Sequence, residues 1–287
     1  MEKISLRAPA KINIYLFVID KREDGYHNIE SLMQAVDLYD EITLEKSESI
    51  ELSCSDPGLP PDIENLAFKA AAQLQSRYYF PGVKIDLVKK IPSGAGLGGG
   101  SSDAAFVLRG LIKLYGLRPT AQELTEIAVS VGSDVPFFLT RGQALIEGRG
   151  EVVRPVKLPL NYEIVIVSPP ISISTAEVYR GLNLNLTCKN RYRLLSKRMD
   201  LSKLMRASRE CRNDLEDVVV SKYPDLANMR RSLLGTGAFL SSMTGSGSSF
   251  FGLFAASARP TGRFDYLKER GYRIFYCKPV LLPSTLS

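Results

Sequence analysis

The chain has 287 residues, of which 45% are hydrophobic and 24% charged, with a formal charge of +6; this is the balance of a globular protein long enough for two ordinary domains. No apolar run approaches the roughly 18 residues that a membrane-spanning helix requires, and Lys3, Arg7, Lys11, Lys21, Arg22 and Glu23 stand where a secretory leader would be apolar, so a cytoplasmic address is expected. Four dispersed cysteines and one histidine argue against a zinc cluster and leave Ser-His-Asp hydrolysis no base other than His27.

Ile12, Ile14, Leu16 and Val18 alternate with other residues and predict a strand from Lys3 to Ile19, closed by a tight turn at Asp24-Gly25. Further strands are expected at 41–44 and 50–53, followed by a loop at the Pro57, Gly58, Pro60, Pro61 cluster. Leu66, Ala70 and Leu74 share one face of a helix over 63–79. Residues 83–91 alternate as a strand that runs into a glycine-rich loop, and helical spacing resumes over 103–115. Thr120 and Glu123 form a capping box for a helix that ends near Gly132. In the second half, a strand at 162–167 stops at Pro169-Pro170, helices are expected within 200–222 and 224–234, a strand at 250–254, a helix at 262–270 and a strand at 272–280. Strands and helices mix without a βαβ repeat, so the expected class is α+β, divided into residues 1–158 with the glycine-rich loop and 159–287 with a late glycine turn.

The positive charge is regional. Residues 187–231 hold 12 Lys and Arg against 6 Asp and Glu, and the rest of the chain is balanced. Such a segment can steer an anionic partner or form a solvated helical surface. Its aromatic residues are Tyr192 and Tyr223 alone, no interleaved stacking platform, which weighs against a nucleic-acid-binding protein.

The strongest local signal is Pro92-Ser-Gly-Ala-Gly-Leu-Gly-Gly-Gly-Ser-Ser-Asp103, with five glycines in the seven positions 94–100, between a strand and a helix. Bare backbone and a helix N-terminus together suit a phosphate. No lysine lies between Gly94 and Asp103, so this is no Walker A loop. Gly94-x-Gly96-x-x-Gly99 fits the dinucleotide pattern, yet the acidic residue due ~20 positions later is missing, which weakens a nicotinamide-dependent dehydrogenase without removing it. Ser101 and Ser102 read as hydroxyls for phosphate or for a magnesium ion that accompanies it.

Two more segments, Ala8-Pro-Ala-Lys-Ile-Asn13 and Ser241-Ser-Met-Thr-Gly-Ser-Gly-Ser-Ser249, stand on either side of this loop. Together the three resemble the motifs of the galactokinase, homoserine kinase, mevalonate kinase and phosphomevalonate kinase superfamily, in order and near their usual positions. Asp24-Gly-Tyr-His27, Gly98-Gly-Gly-Ser-Ser102 and Gly132-Ser-Asp-Val-Pro136 are similar to the branch of that superfamily that acts on a cytidine diphosphate-linked alcohol. The resemblance covers most of the chain. It implies an α+β two-domain small-molecule kinase with its substrate cleft between the domains, using ATP and Mg2+ on the non-mevalonate route to isoprenoid precursors. A mevalonate-type or homoserine kinase of the same superfamily is the alternative, and a non-kinase that binds nucleotide or nucleic acid a distant one.

By that resemblance Lys11 and Asp134 are the catalytic pair, the carboxylate taking the proton of the accepting hydroxyl and the ammonium stabilising the alkoxide. Pro92, Ser93, Gly94, Ala95, Gly96, Leu97, Gly98, Gly99, Gly100, Ser101 and Ser102 hold ATP, with Asn65 and Leu66 near its base and Lys89 or Lys90 approaching the phosphates. Tyr26 and His27 meet the pyrimidine, Tyr179 covers its opposite face with Thr175 nearby, and Asn13 bonds the substrate diphosphate or sugar alcohol. No metal ligand is assigned beyond Ser101 or Ser102. Asp103 places a negative charge awkwardly at the start of a phosphate-cradling helix. The expected partner is small, with no nucleic acid and no membrane, and the chain is expected to be a monomer or weak homodimer.

Overall fold

The computed structural model describes residues 2–183, 199–258, 260 and 264–283. Alternating branched residues make β1 (Lys3–Lys21), and the turn at Gly25, whose φ is 83°, returns the chain as β2 (His27–Ser47). The strand expected at 41–44 is therefore only the far end of β2. Glu30, Ser31 and Gln34 interrupt the apolar pattern, yet all three are buried, because Tyr15 Oη donates to Glu30, Ser31 Oγ to the Tyr15 carbonyl and Gln34 Nε2 to the Ala35 carbonyl. Internal hydrogen bonds permit such burial, and the alternation that betrays a strand is lost.

β3 (Ile50–Cys54) lies parallel to β4 (Gly82–Val88), with α1 (Leu66–Gln75) between them in sequence. α1 starts later than its apolar pattern suggested because the Asn65 side chain accepts from Ala67 N and caps it, and it ends at Gln75, short of the expected 79. After β4 the glycine-rich loop leads into α2 (Gly99–Tyr115), which starts four residues before its expected beginning, inside the glycine run. α3 (Ala121–Val131) has the expected capping box and ends at Gly132. The one-turn α4 (Val135–Phe138) and the hairpin β5 (Gln143–Gly148) and β6 (Val152–Pro155) had no counterpart in the sequence reading. The first sheet has the order β3-β4-β2-β5-β6, with β1 paired to β2.

The second sheet draws on residues further along the chain: β7 (Tyr162–Ser168), β8 (Leu240–Met243), β9 (Phe250–Ala255) and β10 (Arg273–Cys277), in the antiparallel order β10-β7-β9-β8. Between them run α5 (Thr175–Arg180), α6 (Leu201–Ala207), α7 (Glu216–Lys222), α8 (Ala227–Gly235) and α9 (Asp265–Lys268). α9 occupies part of the expected 262–270 helix, whose first residues lie outside the described ones. The chain then returns to the first sheet, with Val280 N bonded to the Ala35 carbonyl and Leu282 buried beside Gly142.

β1 joins the layers. Residues 8–18 are buried without interruption, where simple alternation would leave every second one in water. Ile12, Ile14, Tyr15 and Phe17 pack with Ile164, Ile166 and Phe251 of the second sheet, while Ala8 packs with α1, α2 and α3. Each fully buried branched or aromatic side chain contributes ~1.5–3 kcal/mol, so the strand carrying Lys11 and Asn13 is held firmly from both sides. No described helix is long and apolar enough to cross a membrane.

Candidate active site

Lys11 is 2% exposed on β1. Its Nζ lies 2.6 Å from Asn13 Oδ1 and 3.5 Å from Asp134 Oδ2. Asp134 stands at the junction of α3 and α4, in the capping position of a helix to which its side chain gives no hydrogen bond, so its carboxylate is left to face the ammonium. The 3.5 Å separation exceeds a charge-assisted hydrogen bond of ~2.7–2.9 Å; a hydroxyl oxygen can therefore stand within hydrogen-bond reach of both. Asn13 is 1% exposed, and its amide donates to Ser31 Oγ while its oxygen takes Lys11. That side chain chiefly holds the lysine, and one amide N–H is left for a substrate oxygen.

The glycine-rich loop turns its carbonyls into the protein. Leu97 O accepts from Lys11 N, Gly96 O from Thr244 Oγ1 and Ala95 O from Ser249 N. The glycines are thus needed for more than open backbone: at Gly96 φ is 75°, and a Cβ would lie 2.0 Å from the Thr244 carbonyl oxygen. At Gly98, with φ 70°, a Cβ would press on the Lys11 side chain at 3.0 Å. Gly98 also occupies the capping position of α2 without a side-chain cap, so the first N–H groups of a 17-residue helix are open to an anion. The turn after β8 closes over this loop: Thr244 Oγ1 accepts from Asn13 N, and Ser246 Oγ lies 2.8 Å from Thr175 Oγ1 at the start of α5.

At the other end of the cleft Tyr26 is 54% exposed, with the Arg149 guanidinium 3.8 Å above its ring. His27 and Tyr179 stack on each other, with centroids 5.2 Å apart at 28°. A base between two rings needs a separation of ~7 Å, two stacking distances, so the expected enclosure is not open between these two: a pyrimidine must part them or lie on an outer face. Burial, then Lys21, lowers the His27 pKa and keeps the imidazole neutral at pH 7. Burial and the Asp134 charge push the Tyr179 phenol up.

Asn65 and Leu66 reach the cleft at the start of α1, although the Asn65 amide is occupied by Ala67 N and the Pro60 carbonyl. Lys89 lies beneath the loop as a buried bridge between Asp40 of β2 and Asp103 of α2. Asp103 therefore answers to a cation, which accounts for its place in the helix. Burial pushes Asp103 up to about 7 in spite of Lys89; Lys89 itself is raised, because the two carboxylates outweigh its burial. Lys90 faces away, paired with Glu41 on the surface, and is not among the residues that line the cleft.

Every expected site residue except Ser102 and Lys90 lines a single cavity of about 1080 Å³. Ser102 is fully buried behind Ser101, and its Oγ has no hydrogen-bond partner among the described residues, as is true of Asp103 Oδ1. Sequence reasoning missed Arg149, whose only signal was its Gly-Arg-Gly turn, and the Asp40 partner of Lys89. The cavity's basic lining is Lys11, Lys21, Lys89, Arg149 and Arg180. None comes from the described part of 187–231, so the steering role open to that segment finds no contact here; residues 184–198, Tyr192 among them, lie outside the described ones.

A glycine loop that opens a helix, a buried lysine facing a carboxylate, and a second glycine turn above both define a small-molecule kinase cleft. The chain belongs to the GHMP kinases: the pattern of their N-terminal domain matches residues 65–142 and that of their C-terminal domain residues 186–272. It is 38% identical over 283 residues, 98% of this chain and 100% of the other, to a 4-diphosphocytidyl-2-C-methyl-D-erythritol kinase of Acetivibrio thermocellus. A solved 4-(cytidine 5'-diphospho)-2C-methyl-D-erythritol kinase superposes with a TM-score of 0.75 at 33% identity, covering 96% of this chain and 99% of that one. The homoserine kinase of Cytophaga hutchinsonii shares the fold, with a TM-score of 0.71 at 18% identity over 99% of this chain and 96% of its own. Membership of the family carries with it the use of ATP.

Proposed function

We propose that the chain transfers the γ-phosphoryl group of ATP to the tertiary 2-hydroxyl of 4-diphosphocytidyl-2-C-methyl-D-erythritol, a step of the non-mevalonate route to isoprenoid precursors. The observation that carries this reading is the Lys11–Asp134 pair, 3.5 Å apart, facing the open end of α2, with Tyr26, His27 and Tyr179 at the far end of the same cavity. A tertiary alcohol is a poor nucleophile at neutral pH. Asp134 accepts its proton, Lys11 holds the developing alkoxide, and the N–H groups that open α2 gather charge on the phosphoryl oxygens. Asn13 keeps the ammonium from swinging away. The neutral His27 imidazole offers one donor and one acceptor to the edge of the pyrimidine, and an aromatic face of Tyr26 or Tyr179 stacks on it.

Magnesium would enter with the triphosphate. Among the described residues no group of three or more His, Cys, Asp or Glu could hold a metal ion, but Ser101 and the unpartnered Oδ1 of Asp103, both in the cavity lining, are hard donors of the kind Mg2+ takes, whereas Ser102 is buried away from the cavity; the ion would neutralise charge on the phosphates. We also infer a division of the chain at residues 158/159, a cytoplasmic address, and a monomer or weak homodimer. The test is a panel of alcohols with ATP and Mg2+: the cytidyl alcohol should turn over, and turnover of mevalonate or homoserine without it rejects the reading.

A further inference from the structure

The turn after β8 hangs over Lys11 as the tip of the β8–β9 hairpin, closed at its base by the pairing of Met243 with Phe250 and by the bond from Thr244 N to Ser249 O, and its height above the lysine is set by what grips it from elsewhere in the chain. Segment 212–216, which leads into the first residue of α7, supplies such a grip. Asn213 is 3% exposed, and its Nδ2 donates to two carbonyls of the turn region, Met243 O at 2.9 Å and Gly245 O at 2.7 Å. Its Oδ1 accepts from Leu215 N at 3.0 Å. The flanking backbone is fastened to β1: Leu16 N donates to Arg212 O, Asp214 N to Leu16 O, and Val18 N to Asp214 Oδ2. On the other side, Glu216 accepts from Ser242 Oγ and Met243 N. One short segment therefore grips both the strand that bears Lys11 and the turn that covers it.

The clearance it maintains is small. A Cβ on Gly245 would lie 3.2 Å from Lys11 Nζ and 3.0 Å from Gly96 O, and Thr244 of the same turn bonds Asn13, the residue that holds the Lys11 ammonium. Asn213 does not line the cavity, whereas Gly245 and Ser246 do. We propose that Asn213 is a positioning residue for phosphoryl transfer, its two-carbonyl grip setting the height of the 244–248 turn above Lys11. The side chain must be an amide: a carboxylate turns acceptors toward two carbonyl oxygens, and a hydroxyl supplies a single donor. The proposal rests on the kinase reading above, and on that reading it predicts which kinetic constant changes.

The test compares steady-state kinetics of wild type, N213D, N213S and N213A, each assayed at least ten degrees below its own unfolding midpoint. Misplacement on the order of 1 Å near a reacting centre costs up to ~10²-fold. The expected result is a fall in kcat of about 10- to 100-fold in N213D and N213A with KM for ATP within about threefold of wild type, and an intermediate loss in N213S. A further expectation separates positioning from mere stability: kcat of N213D recovers in part as pH falls, because a protonated carboxyl regains one donor. Near-normal kcat in a folded N213D or N213S, or a loss confined to KM, overturns the proposal. If N213A does not fold, the other two variants decide. If wild type phosphorylates a different alcohol, the substrate assignment fails while the same comparison, run on that alcohol, still tests Asn213.

Discussion

Gly96→Ala separates two reasons for a glycine-rich loop, access for phosphate and packing against the second glycine turn. Alanine at φ 75° costs ~1–2 kcal/mol for left-handed backbone. Its Cβ would stand 2.0 Å from the Thr244 carbonyl oxygen and 3.0 Å from that of Gly247, where ordinary contact begins at 3.4 Å. Both obstacles are backbone, so the turn itself must retreat by more than an ångström or the loop must sink, an overpacking cost of ~1–3 kcal/mol. The expected loss is about 2–5 kcal/mol in urea-induced unfolding, with kcat reduced by about 10²-fold where the variant is still folded. Gly100→Ala is the contrast. Gly100 lies in α2, with no positive φ, and its Cβ would meet only Leu66 Cδ1 at 3.6 Å, so stability should hold or rise by ~0.4–1 kcal/mol. If G96A unfolds and turns over like wild type, or if G100A loses as much as G96A, the packing account is wrong and phosphate access alone explains the glycines.

Asp134→Asn should leave the fold and both KM values nearly intact while lowering kcat by about two orders of magnitude or more, as loss of a proton acceptor does; near-normal turnover in single-turnover assays removes that role. For His27, the folded-state pKa is depressed by burial and then Lys21, so the ring gains its proton only below its ordinary ~6.5. KM for the cytidyl alcohol should climb as pH falls through that range in wild type and stay flat, at a higher level, in H27A; parallel curves for the two proteins would clear His27 of the task. Asp103 is raised, to about 7, so the stability it gains by holding a proton is complete below about pH 4 and lost as pH rises through 7. The unfolding midpoint of D103N relative to wild type should accordingly be more favourable at pH 8 than at pH 5, and a difference independent of pH contradicts it.

Much of the fold is readable wherever one face of an element meets water. α3 shows its capping box and its apolar face, and β4 its alternation, because solvent sits on their other sides. β1 is recognised from alternating branched residues although both of its faces are buried; that double burial, which locks the two sheets together, has no periodic signature. The first two-thirds of β2 is unreadable for the opposite reason, since its polar residues are buried and satisfied by internal hydrogen bonds. The hairpin of β5 and β6 was missed altogether, and α2 began earlier than its apolar spacing because glycine hides a helix start.

The site divides along the same physical line. On the proposed reading Lys11, Asp134 and the glycine run act through their own atoms on a reactant, so their chemistry would restrict which residue types can stand there and a short motif records the restriction. Asn13 is different: it lies within such a motif, yet the structure gives most of its amide to Lys11 and Ser31. Its link to Thr244 spans 231 positions, a distance over which no local periodicity can speak. Asn213 and Asp40 lie wholly outside the motifs, because a side chain that satisfies two carbonyls or one ammonium in the interior resembles any turn asparagine or surface aspartate in composition. What distinguishes them is that the groups they satisfy are buried. A kinase cleft of this kind is therefore announced by the residues that touch phosphate and alcohol, while its accuracy depends on side chains one contact further out, and substitutions there should change kcat long before they abolish binding.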